Sequence, residues 1–214
     1  MVSAAIFDMD GLLIDSERAG LEGIRACGRM QGLELPPEMI LRTIGATSAV
    51  GGEIYRQAFP TIDTARLYAD FRAYMHGLAE RGQLPLKKGA RELLAHLRQR
   101  GTPCAVASSS PRVTVELYLK STGIRPFFAA LSTGEGGVPS KPAPDIFLRA
   151  AQALGVAPAE CLVLEDSYNG IRAGRAAGMQ VCMVPDLIPY APHMAPYCDA
   201  VLPDLTAAIP RFGL

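Results

Sequence analysis

The residues best suited to chemistry are two aspartates near the start of the chain. Asp8 and Asp10 follow the apolar run 4–7 and precede Gly11. Because alternate residues of a strand face the same way, the two carboxylates can converge on one point beyond the strand end. Such close charges are costly unless a cation lies between them or one carboxyl is protonated. The pattern therefore indicates a divalent metal site or an acid beside a nucleophile; an ordinary turn after a strand is the alternative.

Further polar groups follow later apolar runs. Ser108 and Ser109 come after the second run, Lys141 lies in a loop after the third, and Glu165 and Asp166 follow the fourth. Each has a simpler interpretation: the serines and the two acids can cap helices, and the lysine can be a solvated loop residue. If the runs are parallel strands, however, their carboxyl ends meet at one edge, where ligands bind in open α/β sheets.

Strand and helix patterns alternate through most of the chain. Strands are predicted at residues 4–7, 104–107, 127–131, 162–164, 181–184 and 200–202. Their continuous apolar character is typical of strands buried on both faces. Together with the intervening helices, they predict an α/β fold, a doubly wound parallel sheet with a Rossmann-like core.

One long segment between the first two strands lacks any strand pattern. From Ser16 to about Gly82 the apolar spacing favours helices, with turns predicted at Gly32, Pro36–Pro37, Gly51–Gly52 and Phe59–Pro60. We predict a catalytic core of residues 1–14 and 84–214, interrupted by an all-helical domain of residues 15–83. Asp15 and Ser16 are predicted to cap the first helix, and Ser110 a later one that begins at Pro111.

Composition narrows the class of protein. The 214 residues carry a formal net charge of zero, which argues against binding driven by charge to nucleic acid or an anionic membrane. No apolar stretch reaches the roughly 18 residues that span a bilayer, and no signal peptide is recognised. Five cysteines without a C-x-x-C pair favour a reduced, cytoplasmic protein. Without a coiled-coil repeat, we expect a monomer or a weak homo-oligomer.

The candidate groups fit phosphoryl transfer. Carboxylate oxygens around a phosphate substrate suit magnesium, and a lysine and a serine hydroxyl suit phosphoryl oxygens. One aspartate can attack phosphorus and form an aspartyl-phosphate, while the second serves as general acid and base. The metal would reduce the repulsion between the phosphate and the attacking carboxylate.

As a set, these residues resemble the four motifs of the haloacid dehalogenase-like hydrolases over nearly the whole chain. The motifs are Asp8-Met9-Asp10-Gly11-Leu12-Leu13, Ser108, Lys141, and the stretch Glu165-Asp166-Ser167-Tyr168-Asn169-Gly170. Residues 164–179 are similar to the beta-phosphoglucomutase-like branch.

This resemblance implies a role for each group. Asp8 is expected to be the nucleophile, Asp10 the general acid and base, and Ser108, Ser109 and Lys141 the phosphate-binding residues. The expected Mg²⁺ ligands are Asp8, the Asp10 backbone carbonyl and Asp166, with Glu165 direct or through water. The helical domain would be a cap that closes over the site, with hinges near residues 13–15 and 83–85.

Two departures separate the chain from the mutases of that branch. Gly20 stands where those mutases have a histidine, and Ala46-Thr47-Ser48 follows Gly45 where they have a phosphate-gripping arginine. Because a mutase must hold a bisphosphate by both ends, we expect a phosphatase acting on a small phosphorylated metabolite, with sugar phosphates one candidate class. A phosphosugar mutase and a non-catalytic phospho-ligand binding domain are the alternatives. The cap residues expected near the substrate are Glu17, Thr47, Ser48, Arg72 and His76.

Overall fold

A computed structural model describes residues 2–44 and 46–213, so Gly45, the landmark for one of the departures above, lies outside the described residues. All neighbouring strands of its six-stranded sheet are parallel, in the order β3-β2-β1-β4-β5-β6. The strands are β1 (Ala4–Phe7), β2 (Cys104–Ser108), β3 (Ala130–Thr133), β4 (Cys161–Glu165), β5 (Gln180–Met183) and β6 (Ala200–Val201). The predicted doubly wound fold is confirmed. The winding reverses between β1 and β4, and ligands bind at such a switch point in open α/β sheets.

Helices connect these strands and fill the segment between β1 and β2. They are α1 (Ser16–Arg29), α2 (Pro37–Leu41), α3 (Ser48–Ala58), α4 (Thr64–Glu80), α5 (Ala90–Gln99), α6 (Arg112–Ser121), α7 (Asp145–Leu154), α8 (Tyr168–Ala176) and α9 (Ala208–Phe212). Within residues 16–44 and 46–83 every regular element is helical, as predicted. No helix in the described part of the chain has the length and apolar character needed to cross a membrane.

The sheet is buried on both faces, which explains its continuous apolar strands. Side chains alternate along β1, so that Ala5 and Phe7 pack into the apolar cluster on one face and Ala4 and Ile6 into the cluster on the other. Helices α5 and α6 contribute to the first cluster, and α7 and α8 to the second. The sheet is thereby held rigidly, and the residues at its carboxyl edge are held with it.

The helical insert has an apolar cluster of its own. Its buried members are Ile24, Cys27, Leu35, Ile40, Tyr55, Ile62 and Leu67. Helix α4 also packs on the core, because Met75 and Ala79 join the cluster that contains Phe7. In addition, His76 Nε2 lies 2.8 Å from Thr114 Oγ1 of α6. The insert therefore contacts the core through α4 as well as through its two chain connections.

Two local predictions are wrong. Gly51 and Gly52 do not form a turn but lie inside α3, where a Cβ at Gly51 would come within 2.5 Å of the Tyr68 hydroxyl oxygen on α4. Gly51 thus serves the close approach of two helices. The third strand begins at Ala130 rather than at residue 127, because residues 125–127 form a 3₁₀ turn.

Candidate active site

The first motif forms a tight turn at the carboxyl end of β1. Gly11 has a φ of +80°, a backbone conformation that glycine adopts readily and other residues rarely do. A Cβ at Gly11 would lie only 2.4 Å from Asp166 Oδ2, so glycine also allows the backbone to pass against a carboxylate. The turn thus brings the motif that holds Asp8 and Asp10 against the residue that follows β4.

Lys141 joins the ends of three strands. Its Nζ donates to Asp8 Oδ1 at 2.5 Å, to Glu165 Oε1 at 2.7 Å and to the Ala107 carbonyl oxygen at 3.1 Å. Its side chain is only 7% exposed, which excludes the alternative of a solvated loop lysine. Because a buried ammonium needs charged or polar partners, these contacts fix the loop that carries it. The positive charge lies directly beside Asp8.

Glu165 is held by protein donors on both of its oxygens. Besides Lys141 on Oε1, its Oε2 accepts hydrogen bonds from Asp166 N, Ser167 N and Ser167 Oγ at 2.8–2.9 Å. A Cβ at Gly170 would lie 1.7 Å from Glu165 Oε1, so only glycine fits there. The cap of α8 is Ser167, whose side chain accepts from Gly170 N, rather than either acid. Glu165 is therefore best placed to position Lys141.

Asp10 is held by two serines that the sequence placed at helix caps. Ser16 Oγ donates to Asp10 Oδ1 at 2.7 Å, and Ser110 Oγ donates to Asp10 Oδ2 at 3.0 Å. Asp15 is the N-cap of α1 but makes no side-chain capping bond, and the capping prediction for Ser110 is wrong because Pro111 is itself the N-cap of α6. Sequence reasoning missed both serines as site residues. Their only signal was proximity to predicted strand ends.

Ser108 and Ser109 lie where the motif predicts. Ser108 is the last residue of β2 and is buried, with its Oγ accepting from Ser110 N at 3.1 Å. Ser109 is exposed, and a Cβ at Gly134 would lie 2.4 Å from its carbonyl oxygen. Both serines line the same cavity as Asp8.

Burial shifts the pKa values of the ionisable groups in the site. Burial raises the pKa of Asp8 to about 7 against the opposing charge of Lys141, and it also raises the pKa of Asp10. Burial and the neighbouring Glu165 and Asp8 charges raise the pKa of Asp166 well above its usual range. Burial lowers the pKa of Lys141, but the charges of Asp8 and Glu165 outweigh it and the pKa is raised. One cation therefore faces several carboxyl groups.

The donor set suits a hard cation. Among residues 2–44 and 46–213, no three acidic, histidine or cysteine side chains already form a metal-binding cluster. Asp8 is paired with Lys141, and Asp10 faces two serine hydroxyls. Nevertheless, the donors are all oxygens, burial and the neighbouring carboxylates raise the pKa of Asp166, and the Gly11 turn brings Asp166 beside the first motif. These properties fit Mg²⁺.

A cavity of about 590 Å³ lies between this edge of the sheet and the helical insert. Its lining includes Asp8, Asp10, Ser108, Ser109, Lys141 and Asp166 from the core, and Glu17, Gly20, Thr47, Ser48, Tyr68 and Arg72 from the insert. Four of the five cap residues expected near a substrate therefore face it, whereas His76 is not part of the lining and contacts Thr114. Burial, with the charges of Asp10 and Asp186, raises the pKa of Glu17 to about 8.

Comparisons with known proteins agree with this fold. The family model described as haloacid dehalogenase-like hydrolase matches residues 2–178. Hexitol phosphatase B of Escherichia coli is 37% identical over 190 residues, covering 86% of this chain and 84% of that protein. Protein CbbY of Rhodobacter capsulatus is 30% identical over 220 residues, covering 97% and 95%.

A solved structure of the same general fold is the beta-phosphoglucomutase of Clostridium difficile, with a TM-score of 0.79 at 20% identity, covering 97% of this chain and 93% of that one. The chain belongs to the haloacid dehalogenase-like hydrolases. With named phosphatases among its relatives, it is a phosphoric monoester hydrolase.

Proposed function

We propose that the chain is a magnesium-dependent phosphatase that hydrolyses a small phosphate monoester, with sugar phosphates the favoured class, through an aspartyl-phosphate intermediate. The observation that carries this proposal is the buried Lys141, which lies between Asp8 and Glu165 on the floor of the cavity. A binding domain has no need for a carboxylate activated beside a cation. Asp10, fixed by two hydroxyls in the same cavity, supplies the second group that acyl-phosphate chemistry requires.

Binding of the phosphoryl group falls to the core. Ser108 and Ser109 would donate to its oxygens, and Lys141 would add positive charge. Asp8, the Asp10 carbonyl and Asp166 would hold Mg²⁺, with Glu165 acting through water because its own oxygens already have protein donors. When bound, Mg²⁺ reduces the repulsion between the dianionic phosphate and the nucleophile.

The two aspartates divide the chemistry. An Asp8 carboxylate oxygen attacks phosphorus, the bond from phosphorus to the ester oxygen breaks, and Asp10 gives its proton to the departing alcohol. Asp10 then takes a proton from a water molecule, whose oxygen attacks phosphorus and releases the Asp8 carboxylate and inorganic phosphate. The raised pKa of Asp10 suits this role, because such a carboxyl can carry a proton nearer to neutral pH.

We further propose that residues 15–83 act as a cap over a core of residues 1–14 and 84–214. The separate apolar cluster of the insert supports this division, as does the cavity that lies between the two parts. Substrate identity would then depend on the insert, whose hydroxyls and Arg72 face the cavity. Closure would exclude water from the acyl-phosphate until the alcohol has left.

Phosphate release from a panel of sugar phosphates, nucleotides and p-nitrophenyl phosphate, with Mg²⁺ or EDTA, tests the proposal. Asp8→Asn should lower turnover by about 10³-fold or more, and Asp10→Asn should slow hydrolysis of the phosphoenzyme. Asp63→Asn is the matched control, because Asp63 caps α4 outside the cavity and asparagine caps equally well. Retained turnover in Asp8→Asn would remove Asp8 from its role.

A phosphosugar mutase remains the second candidate on one observation. Arg72 of α4 lines the cavity and could hold a second phosphate in place of the arginine missing after Gly45. Beta-glucose 1-phosphate with a bisphosphate primer distinguishes the two: transfer without net phosphate release would indicate the mutase.

A further inference from the structure

The two chain segments that join the helical insert to the core run side by side. Asp15 N donates to the Pro85 carbonyl oxygen and Lys87 N donates to the Leu13 carbonyl oxygen, both at 2.9 Å. Any change in the orientation of the insert must therefore pass through a paired connection. The charged side chains around this connection can influence that change.

A buried carboxylate of the core lies beside this connection. Asp186 follows β5, and its side chain is 1% exposed. Its Oδ1 accepts from Lys87 Nζ at 2.5 Å and from Arg18 NH1 at 2.7 Å. Arg18 NH1 also lies 2.8 Å from Asp15 Oδ1. One core carboxylate thus binds a cation from the returning segment and a cation from the first turn of α1.

We propose that Asp186 and Arg18 are positioning residues whose ion pair sets the orientation of α1 over the active site. Arg18 comes directly after Glu17, which lines the cavity, and two residues after Ser16, which donates to Asp10. A shift of this first turn would move both groups. Neither Arg18 nor Asp186 lines the catalytic cavity, so any effect on turnover is indirect.

The surroundings of the pair allow it to open and close. Arg18 and Asp186 line a separate cavity of about 190 Å³ together with Lys87, which leaves space for the arginine to move. The Arg18 side chain is 51% exposed, so the pair should be modest in strength and sensitive to salt. When Arg18 is removed, Lys87 still neutralises Asp186, and the variant should therefore fold.

Hydrogen exchange provides a test that does not depend on activity. In Arg18→Gln, amides in the first turn of α1, in residues 13–15 and at residues 86 and 87 should exchange about fivefold faster than in the wild type. The matched control is Arg25→Gln on the same helix, because Arg25 lies 3.8 Å from Glu22 within the insert. Raising NaCl should bring wild-type exchange toward that of Arg18→Gln. Equal exchange in the two variants, or an equal salt response in wild type and Arg18→Gln, would overturn the proposal.

Kinetics give the second readout, which rests on the proposed phosphatase function. If α1 occupies the productive orientation for less of the time, the apparent substrate affinity falls by that fraction. Arg18→Gln should therefore raise KM about fivefold with kcat within about twofold. Arg18→Lys should restore most of the affinity. The double variant Arg18→Gln/Asp186→Asn should have a KM no higher than that of the poorer single variant. An unchanged KM would overturn the proposal.

The two readouts separate the two possible failures. Inactive wild-type protein with faster exchange in Arg18→Gln would refute the phosphatase and keep the ion pair. Active wild-type protein with unchanged exchange in Arg18→Gln would refute the role of the ion pair and keep the phosphatase.

Discussion

Replacement of Lys141 by methionine would separate the charge of this residue from its volume. The methionine would keep most of the packing around Phe147, whose ring lies 5.0 Å from Lys141 Nζ, but would leave Asp8 and Glu165 facing each other without a cation. Because all three side chains are buried, we expect a loss of about 3–5 kcal/mol in the free energy of unfolding at pH 8.

The loss of stability in Lys141→Met should depend on pH, and the direction of this dependence follows from the titration of Asp8. The pKa of Asp8 is raised from 3.8 to about 7, so between these values the native state holds a proton that the unfolded chain has released. Stability therefore falls as the pH rises through this interval. Without the attraction of Lys141, the pKa of Asp8 rises further and the fall extends to higher pH. The difference between variant and wild type should be smaller at pH 5 than at pH 8.

Urea unfolding in EDTA between pH 5 and pH 8 measures this difference without a contribution from metal. Lys88→Met is the control: Lys88 Nζ lies 2.7 Å from Asp204 Oδ2, but its side chain is 83% exposed, and the loss should be much smaller than that of Lys141→Met. Equal losses in the two variants, or a Lys141→Met loss that does not change with pH, would refute the reasoning from burial and charge.

Two further predictions concern Asp10 and the metal. Ser110→Ala removes the hydroxyl that donates to Asp10 Oδ2 at 3.0 Å, and we expect it to lower turnover about tenfold. The control is Ser121→Ala at the far end of α6, which should leave turnover unchanged. Similar turnover in the two variants would exclude Ser110 from the site. Mg²⁺ should raise Tm more at pH 8 than at pH 5.5, because at the lower pH protons compete with the metal for carboxylates whose pKa values are raised. Asp166→Asn should remove most of this rise in Tm. An equal rise at both pH values would count against a carboxylate metal site.

The sequence predicted the sheet and the order of its site residues well. Strand β1 was predicted with its observed bounds, 4–7, because a short apolar run buried on both faces is a local signal. The carboxyl ends of parallel strands lie at the same edge of a sheet, and this rule placed Asp8, Ser108 and Glu165 together at that edge. This part of the site needed only strand positions and strand direction.

The insert was predicted less completely. Helix α3 was missed because Gly51 and Gly52 favour a turn when read locally. The function of Gly51 becomes visible only from α4, where the Tyr68 hydroxyl occupies the space of a Cβ at Gly51. A contact between two helices overrode the local propensity of these residues.

The sequence by itself determined the fold class, the family motifs and the chemical types gathered at the carboxyl edge of the sheet. Only the tertiary structure decided how those groups are paired. Lys141 lies 133 residues from Asp8, and Ser110 lies 100 residues from Asp10, so no local pattern specifies either contact. The pairing depends on how far each strand end and its following loop extend across the edge. That geometry is set by packing on both faces of the sheet, which also buries the carboxylates and raises their pKa values.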